Sequence, residues 1–237
     1  VVKTEKLTWP KIEELGRKFN TASFAVWGVK EKKLEKSKQL EDFWSKSSKQ
    51  GEFIGEEVIR KHLKDLKRNV IFLGLNPSDD VEPFQNFHWR EEDKNRPTSD
   101  KKYKRSVKSS RGALFKLKKI IAPSYEKRLE NLYGAYMTDI TNYVGDGDTA
   151  LCYIHNNRKK CREYLENQLK SLGEDSYTLI VFGEKALTAL GYINVSAIKK
   201  NIKIYPLPHY SASILLKDLI NRFRYIDREL ELLNKKK

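Results

Sequence analysis

Four short apolar runs punctuate this chain, and each closes on polar residues. They are Val70 to Leu75 before Asn76-Pro77, Leu132 to Met137 before Thr138-Asp139, Tyr177 to Phe182 before Gly183, and Ile202 to Leu207 before Pro208-His209. Runs of this length, rich in β-branched and aromatic residues, predict buried strands. Between and after them the apolar spacing turns helical, over residues 110–121, Asn156 to Leu172, Glu184 to Leu190 and Ile214 to Leu233. Strands separated by helices predict an α/β fold, a three-layer αβα arrangement around a four-stranded parallel sheet. Upstream, residues 10–20 and 31–68 show helical spacing on a strongly charged background, with Leu40, Phe43, Trp44, Leu63 and Leu66 among the apolar positions. They predict a helical N-terminal extension, residues 1–69, ahead of an α/β domain, residues 70–237. From 78 to 104 periodicity gives way to Pro, Asp and Asn, as expected of a long active-site loop. Gly145-Asp146-Gly147-Asp148 reads as a turn, since the further ligands of a calcium loop are missing.

Composition narrows the class. The chain has 237 residues, 39% of them hydrophobic, enough to fill a substantial core. Its longest apolar runs are too short to span a bilayer, and its first twenty residues carry charges throughout, so the expectation is a cytoplasmic protein with no membrane partner. Two cysteines, Cys152 and Cys161, give no disulfide framework and are expected to be reduced thiols. The histidines, His62, His88, His155 and His209, lack metal-ligand spacing, so neither a metal site nor a cofactor is expected. A net charge of +15 attracts polyanions and makes their binding salt-dependent. A lysine-rich solubilising surface gives the same total, so charge acquires meaning only beside motifs.

The motifs sit on the strand ends. A parallel sheet gathers the carboxyl ends of its strands at one edge, where ligands bind. Gly74-Leu75-Asn76-Pro77-Ser78 follows the first run and Pro208-His209-Tyr210-Ser211-Ala212-Ser213 the last. Taken with Met137-Thr138-Asp139 and Phe182-Gly183-Glu184-Lys185-Ala186-Leu187, their order resembles the uracil-DNA glycosylase superfamily over residues 70–220. Two departures accompany the likeness: Tyr210 stands where most members have Pro, and Asp139 where many have Asn. The resemblance implies a uracil-DNA glycosylase-like fold and a monomeric enzyme that needs no cofactor. It also implies DNA as partner, with a base flipped out, its N-glycosidic bond hydrolysed and an abasic site left behind.

It further implies roles. Breaking the glycosidic bond builds negative charge on the departing base and positive charge on the sugar. His209 matches the residue that stabilises the anion by a hydrogen bond, and Asn76 the residue that positions the attacking water. Phe87, with Phe84 in reserve, matches the ring that stacks on the flipped base. Ser78 stands where the uracil-specific branch has a Tyr that excludes C5 substituents, so this chain leaves room there. Asp139 matches the base reader. A carboxylate accepts from the N4 amino group of cytosine and, when protonated, donates to N3, so Ser78 and Asp139 together favour a C5-modified cytosine over uracil. Such bases occur in some phage genomes, which makes a defence role a natural alternative to repair. Ser211, Ser213, Arg105, Lys108 and Arg111 are the expected phosphate contacts. Two alternatives stand beside this reading: Asn142 in place of Asp139 as base reader, and a non-catalytic nucleic-acid-binding protein on the same scaffold.

Overall fold

The computed structural model describes residues 7–19, 21–25, 60, 62–77, 120–122, 127–198, 200–209 and 216–235. In chain order they form α1 (Trp9–Lys18), β1 (Ser23–Phe24), β2 (Lys67–Gly74), β3 (Ala135–Asp139), α2 (Gly147–Asn156), α3 (Arg158–Leu172), β4 (Ser176–Phe182), α4 (Glu184–Tyr192), β5 (Asn201–Leu207) and α5 (Leu216–Lys235). The strands make one sheet in the order β1-β3-β2-β4-β5, parallel throughout except for β1, which runs antiparallel to β3. The four expected parallel strands are present. The sheet has five strands rather than four among the described residues, because Ser23–Phe24 adds an edge strand too short to leave a periodic signal.

Strand register sorts the side chains into two layers. Phe72 pairs with Ile180 and with Met137, so these residues and Phe182 share one face. There Phe72 and Phe182 meet Phe223 of α5 with ring centroids 6.2 and 6.3 Å apart. The opposite face takes Tyr136 and Thr138, whose hydroxyls donate to Oε1 of Gln168 on α3 at 2.9 and 2.5 Å. Both faces are therefore covered by helices; β3 and β4 are buried almost throughout, and β2 is buried from Val70 to Leu73.

The segment read as an extension contributes to this same core. Ile12, Leu15, Phe19 and Phe24 are buried in the cluster that holds Ile71 and Tyr136, and Phe24 meets Tyr136 edge to face at 5.4 Å. Thr21 Oγ1 bonds to Thr138 Oγ1 at 2.9 Å and to Tyr164 Oη at 2.8 Å, tying this segment to β3 and α3 at once.

Residues 147–156 form a helix that the sequence reading passed over. Asp146 makes it start: its Oδ1 accepts from the backbone N–H of Asp148 and Thr149 at 2.9 and 3.0 Å, an N-cap that satisfies two otherwise orphaned donors. What reads as a turn is thus a turn that caps a helix. Asn157, with non-helical backbone, separates α2 from α3, and Gly173 at φ +75 ends α3 in the left-handed region that glycine tolerates best. Of the helix expected over 110–121, the described part is Ile120-Ile121, which is helical and buried.

Candidate active site

The parallel strands run in the spatial order β3-β2-β4-β5, so the chain leaves β2 in one direction for β3 and then passes over it to β4. The crevice between the carboxyl ends of β2 and β4 is the switch point of the sheet, the place where α/β folds bind ligands. Asn76 lies two residues beyond the end of β2, Asp139 is the last residue of β3, Gly183 follows β4, and His209 lies two residues beyond β5. Register puts Asp139 level with Gly74, and Phe182 level with Leu207. At about 4.8 Å per strand, the whole row from β3 to β5 spans about 14 Å.

Asn76 is half-buried, and its amide is fully committed. Nδ2 donates to the carbonyl of Pro77 at 2.9 Å and to that of Gly145 at 2.8 Å. The reverse amide orientation would set an oxygen against two carbonyl oxygens, so the flip is decided by chemistry. Oδ1 is left as the acceptor of this side chain. The bond to Gly145 also fixes the β2 loop against the turn that caps α2.

Asp139 is 2% exposed, and its Oδ2 has no hydrogen-bond partner among the described residues. Oδ1 lies directly over the Cα of Gly74, where any Cβ would overlap it. The sequence requires glycine at 74 for this reason. Burial pushes the Asp139 carboxyl well above the usual carboxylate range, which favours its neutral form. A neutral carboxyl offers one O–H donor beside one carbonyl acceptor. Tyr164 stands near it: burial, together with the negative charge Asp139 carries when ionised, pushes the phenol up to about 12 against the opposing hydrogen bond to Thr21. Asn142, the alternative reader, is exposed on the loop beyond.

His209 closes the other side. Its Cβ sits 3.3 Å from where a side chain at Gly183 would begin, and Gly183 has φ +89, so a glycine is required there on two counts. The packing carries His209 over the tip of β4, one strand nearer to Asn76. Its ring retains solvent access, yet protein atoms crowd it enough to lower its pKa below the ordinary imidazole value. At neutral pH it is an uncharged imidazole able to donate one hydrogen bond.

Lys185 is a member of this neighbourhood to which the sequence reading gave no role. Its Nζ pairs with Asp148 Oδ1 at 2.7 Å across the amino end of α2, and its chain packs at Gly147 beside Leu75. The signal was there: Lys185 belongs to the Phe182-Gly183-Glu184-Lys185 motif. Of the other expected site residues, Ser78, Phe84, Phe87, Arg105, Lys108, Arg111, Tyr210, Ser211 and Ser213 lie outside the described residues. Cys152 and Cys161 are free thiols, the second buried beside β3's exit loop. No family model, curated protein or solved structure matches this chain.

Proposed function

We propose that this protein is a monofunctional DNA glycosylase with a uracil-DNA glycosylase-like αβα fold. It flips a base from DNA into the crevice between β2 and β4 and hydrolyses its N-glycosidic bond, with no cofactor. The observation that carries the reading is the set of groups at the carboxyl ends of one sheet: an Asn whose two amide protons are spent on carbonyls, a histidine packed at Gly183, and a buried carboxyl whose Oδ2 has no partner among the described residues. Each answers one need of the reaction. Asn76 Oδ1 orients the water by accepting from it, and His209 donates to the base oxygen on which charge develops. Asp139 meets the pairing edge of the base: its O–H donates to N3 of a cytosine while its carbonyl oxygen accepts from N4. A buried carboxyl left without a partner costs stability, and the flipped base supplies the missing hydrogen bonds. With Ser78 small, the favoured substrate is a cytosine carrying a C5 substituent, and a role against modified phage DNA suits it as well as repair.

The test is base release from oligonucleotides containing uracil, mismatched thymine, hypoxanthine, cytosine and C5-modified cytosines, read as strand cleavage at abasic sites. Release of a modified cytosine is expected, falling at least tenfold in Asp139→Ala, which removes both the donor and the acceptor. Release of uracil alone would remove the cytosine assignment and keep the enzyme. Tight binding with no release from any substrate, unaffected by Asn76→Ala, would mean a non-catalytic nucleic-acid-binding protein.

A further inference from the structure

Helix α3 opens on Arg158, Lys159, Lys160 and Arg162, with no acidic residue in its first turn. Positive charge there opposes the helix macrodipole, whose amino end is already partially positive. Little nearby offsets it: Glu163 stands 4.0 Å from Lys159 Nζ, and Arg158 bonds to the carbonyl and ring of His155. Arg158, Lys159 and Lys160 are all exposed. A cluster placed against its own helix in this way is suited to an external polyanion.

Beside the cluster lies a cavity of about 240 Å³, walled by Thr141, Asn142, Tyr153, Lys160, Tyr164 and Asn167. Tyr143 stacks on Tyr153 at 4.4 Å and 16° but forms no part of the wall, whereas Lys160 Nζ lies 5.9 Å from the Tyr153 ring. One ring face is thus taken by Tyr143, while the Tyr153 ring and the Lys160 cation both line the cavity. Asn142 and Asn167 bring amides that both donate and accept, and Glu163 at the rim adds an acceptor. An aromatic face with cations at its edge is the chemistry of nucleotide capture, the base on the ring and its phosphates on the charges. Asn142 follows Asp139 by three residues, at most about 11 Å of chain, so the cavity lies near the carboxyl end of β3.

We infer that this cavity is a second nucleotide subsite, which takes the base next to the excised one while Lys159, Lys160 and Arg162 hold the phosphates of that strand. The inference rests on the glycosylase reading for its DNA substrate. A base enters such a cavity only when unstacked, so the subsite favours single-stranded DNA around the target.

Fluorescence anisotropy with a labelled oligothymidylate and a duplex of equal length, across a salt series, tests it. Replacing Lys159, Lys160 and Arg162 together by Ala lowers the single-strand salt slope by about 2 and raises Tm by about 1–4 °C as the repulsion at the helix end is relieved. Tyr153→Leu weakens single-strand binding about tenfold or more and leaves duplex binding unchanged, and Tyr153→Phe restores it. A triple variant with an unchanged slope or a lowered Tm would overturn the inference, as would equal losses in Tyr153→Leu and Tyr153→Phe. If those failures appear while the wild type binds DNA and releases base, the subsite alone is wrong. If the wild type neither binds DNA nor releases a base, the glycosylase reading falls with it.

Discussion

Asn76 holds its position by giving both amide protons to carbonyl oxygens, and this decides which substitutions it tolerates. A carboxylate accepts a proton from water more readily than an amide does, so for the proposed hydrolysis Asn76→Asp looks like a gain. In this chain it is a loss. The new carboxylate would face the carbonyls of Pro77 and Gly145, and two hydrogen bonds would become two repulsions. The expected cost is about 2–4 kcal/mol, seen as a lower Tm, with no rise in the single-turnover rate. A variant that melts like the wild type and turns over faster would show that the amide is not so fixed. At this scale the sequence disclosed which residues stand at strand ends, since an apolar run followed by Asn-Pro, Thr-Asp or Pro-His is visible without coordinates. It did not disclose that Asp139 Oδ2 is buried without a partner among the described residues or that both donors of Asn76 are spent, because those facts depend on Gly74 and Gly145, contributed by other segments.

Among the elements, legibility followed length and continuity. β2 and β4 were readable because at least four apolar or β-branched residues run together and end abruptly, and β5 because Ile202, Ile204, Tyr205 and Leu207 fall within six positions. α2 was not, because its first turn is Gly147-Asp148-Thr149 and its start depends on a side-chain cap, which reads locally as a loop. β1 is two residues long and exists only through its pairing with β3. The first segment was read as an accessory, yet α1 and β1 bury Ile12, Leu15, Phe19 and Phe24 against the sheet. At roughly 1.5–3 kcal/mol for each buried side chain, their loss rivals the whole stability of a domain, about 5–15 kcal/mol. Deleting residues 1–25 is therefore expected to abolish cooperative thermal unfolding and near-UV circular dichroism. A truncated chain that still melts sharply would make the segment a dispensable extension after all.

For the whole molecule, the site sets the shape of stability against pH. The Asp139 carboxyl is raised by burial, so from its unfolded value near pH 4 upward the native state binds more protons than the unfolded one, and stability falls as pH rises toward the folded pKa. His209 is lowered, also by burial, so its contribution is complete above about pH 6.5 and is lost as pH falls through its folded value. Of these two groups, only Asp139 contributes a slope above about pH 6.5 when its folded pKa lies beyond that. Asp139→Asn removes it, and the Tm difference between variant and wild type is expected to grow in favour of the variant as pH rises from about 4 toward the folded pKa of Asp139. Differential scanning across that range reads it directly, and a difference independent of pH would mean that Asp139 is ionised in the fold. The +15 charge has the complementary effect on association, drawing polyanions to the protein most strongly at low salt.

The contact between Gly74 and Asp139 ties two positions, distant in the chain, into a single heritable unit. A lineage that acquires any side chain at 74 must in the same step shorten or redirect the residue at 139, because both claim one volume. A side chain at 74 is therefore tolerated only together with a change at 139, whereas 139 is free to change alone as long as glycine stays at 74.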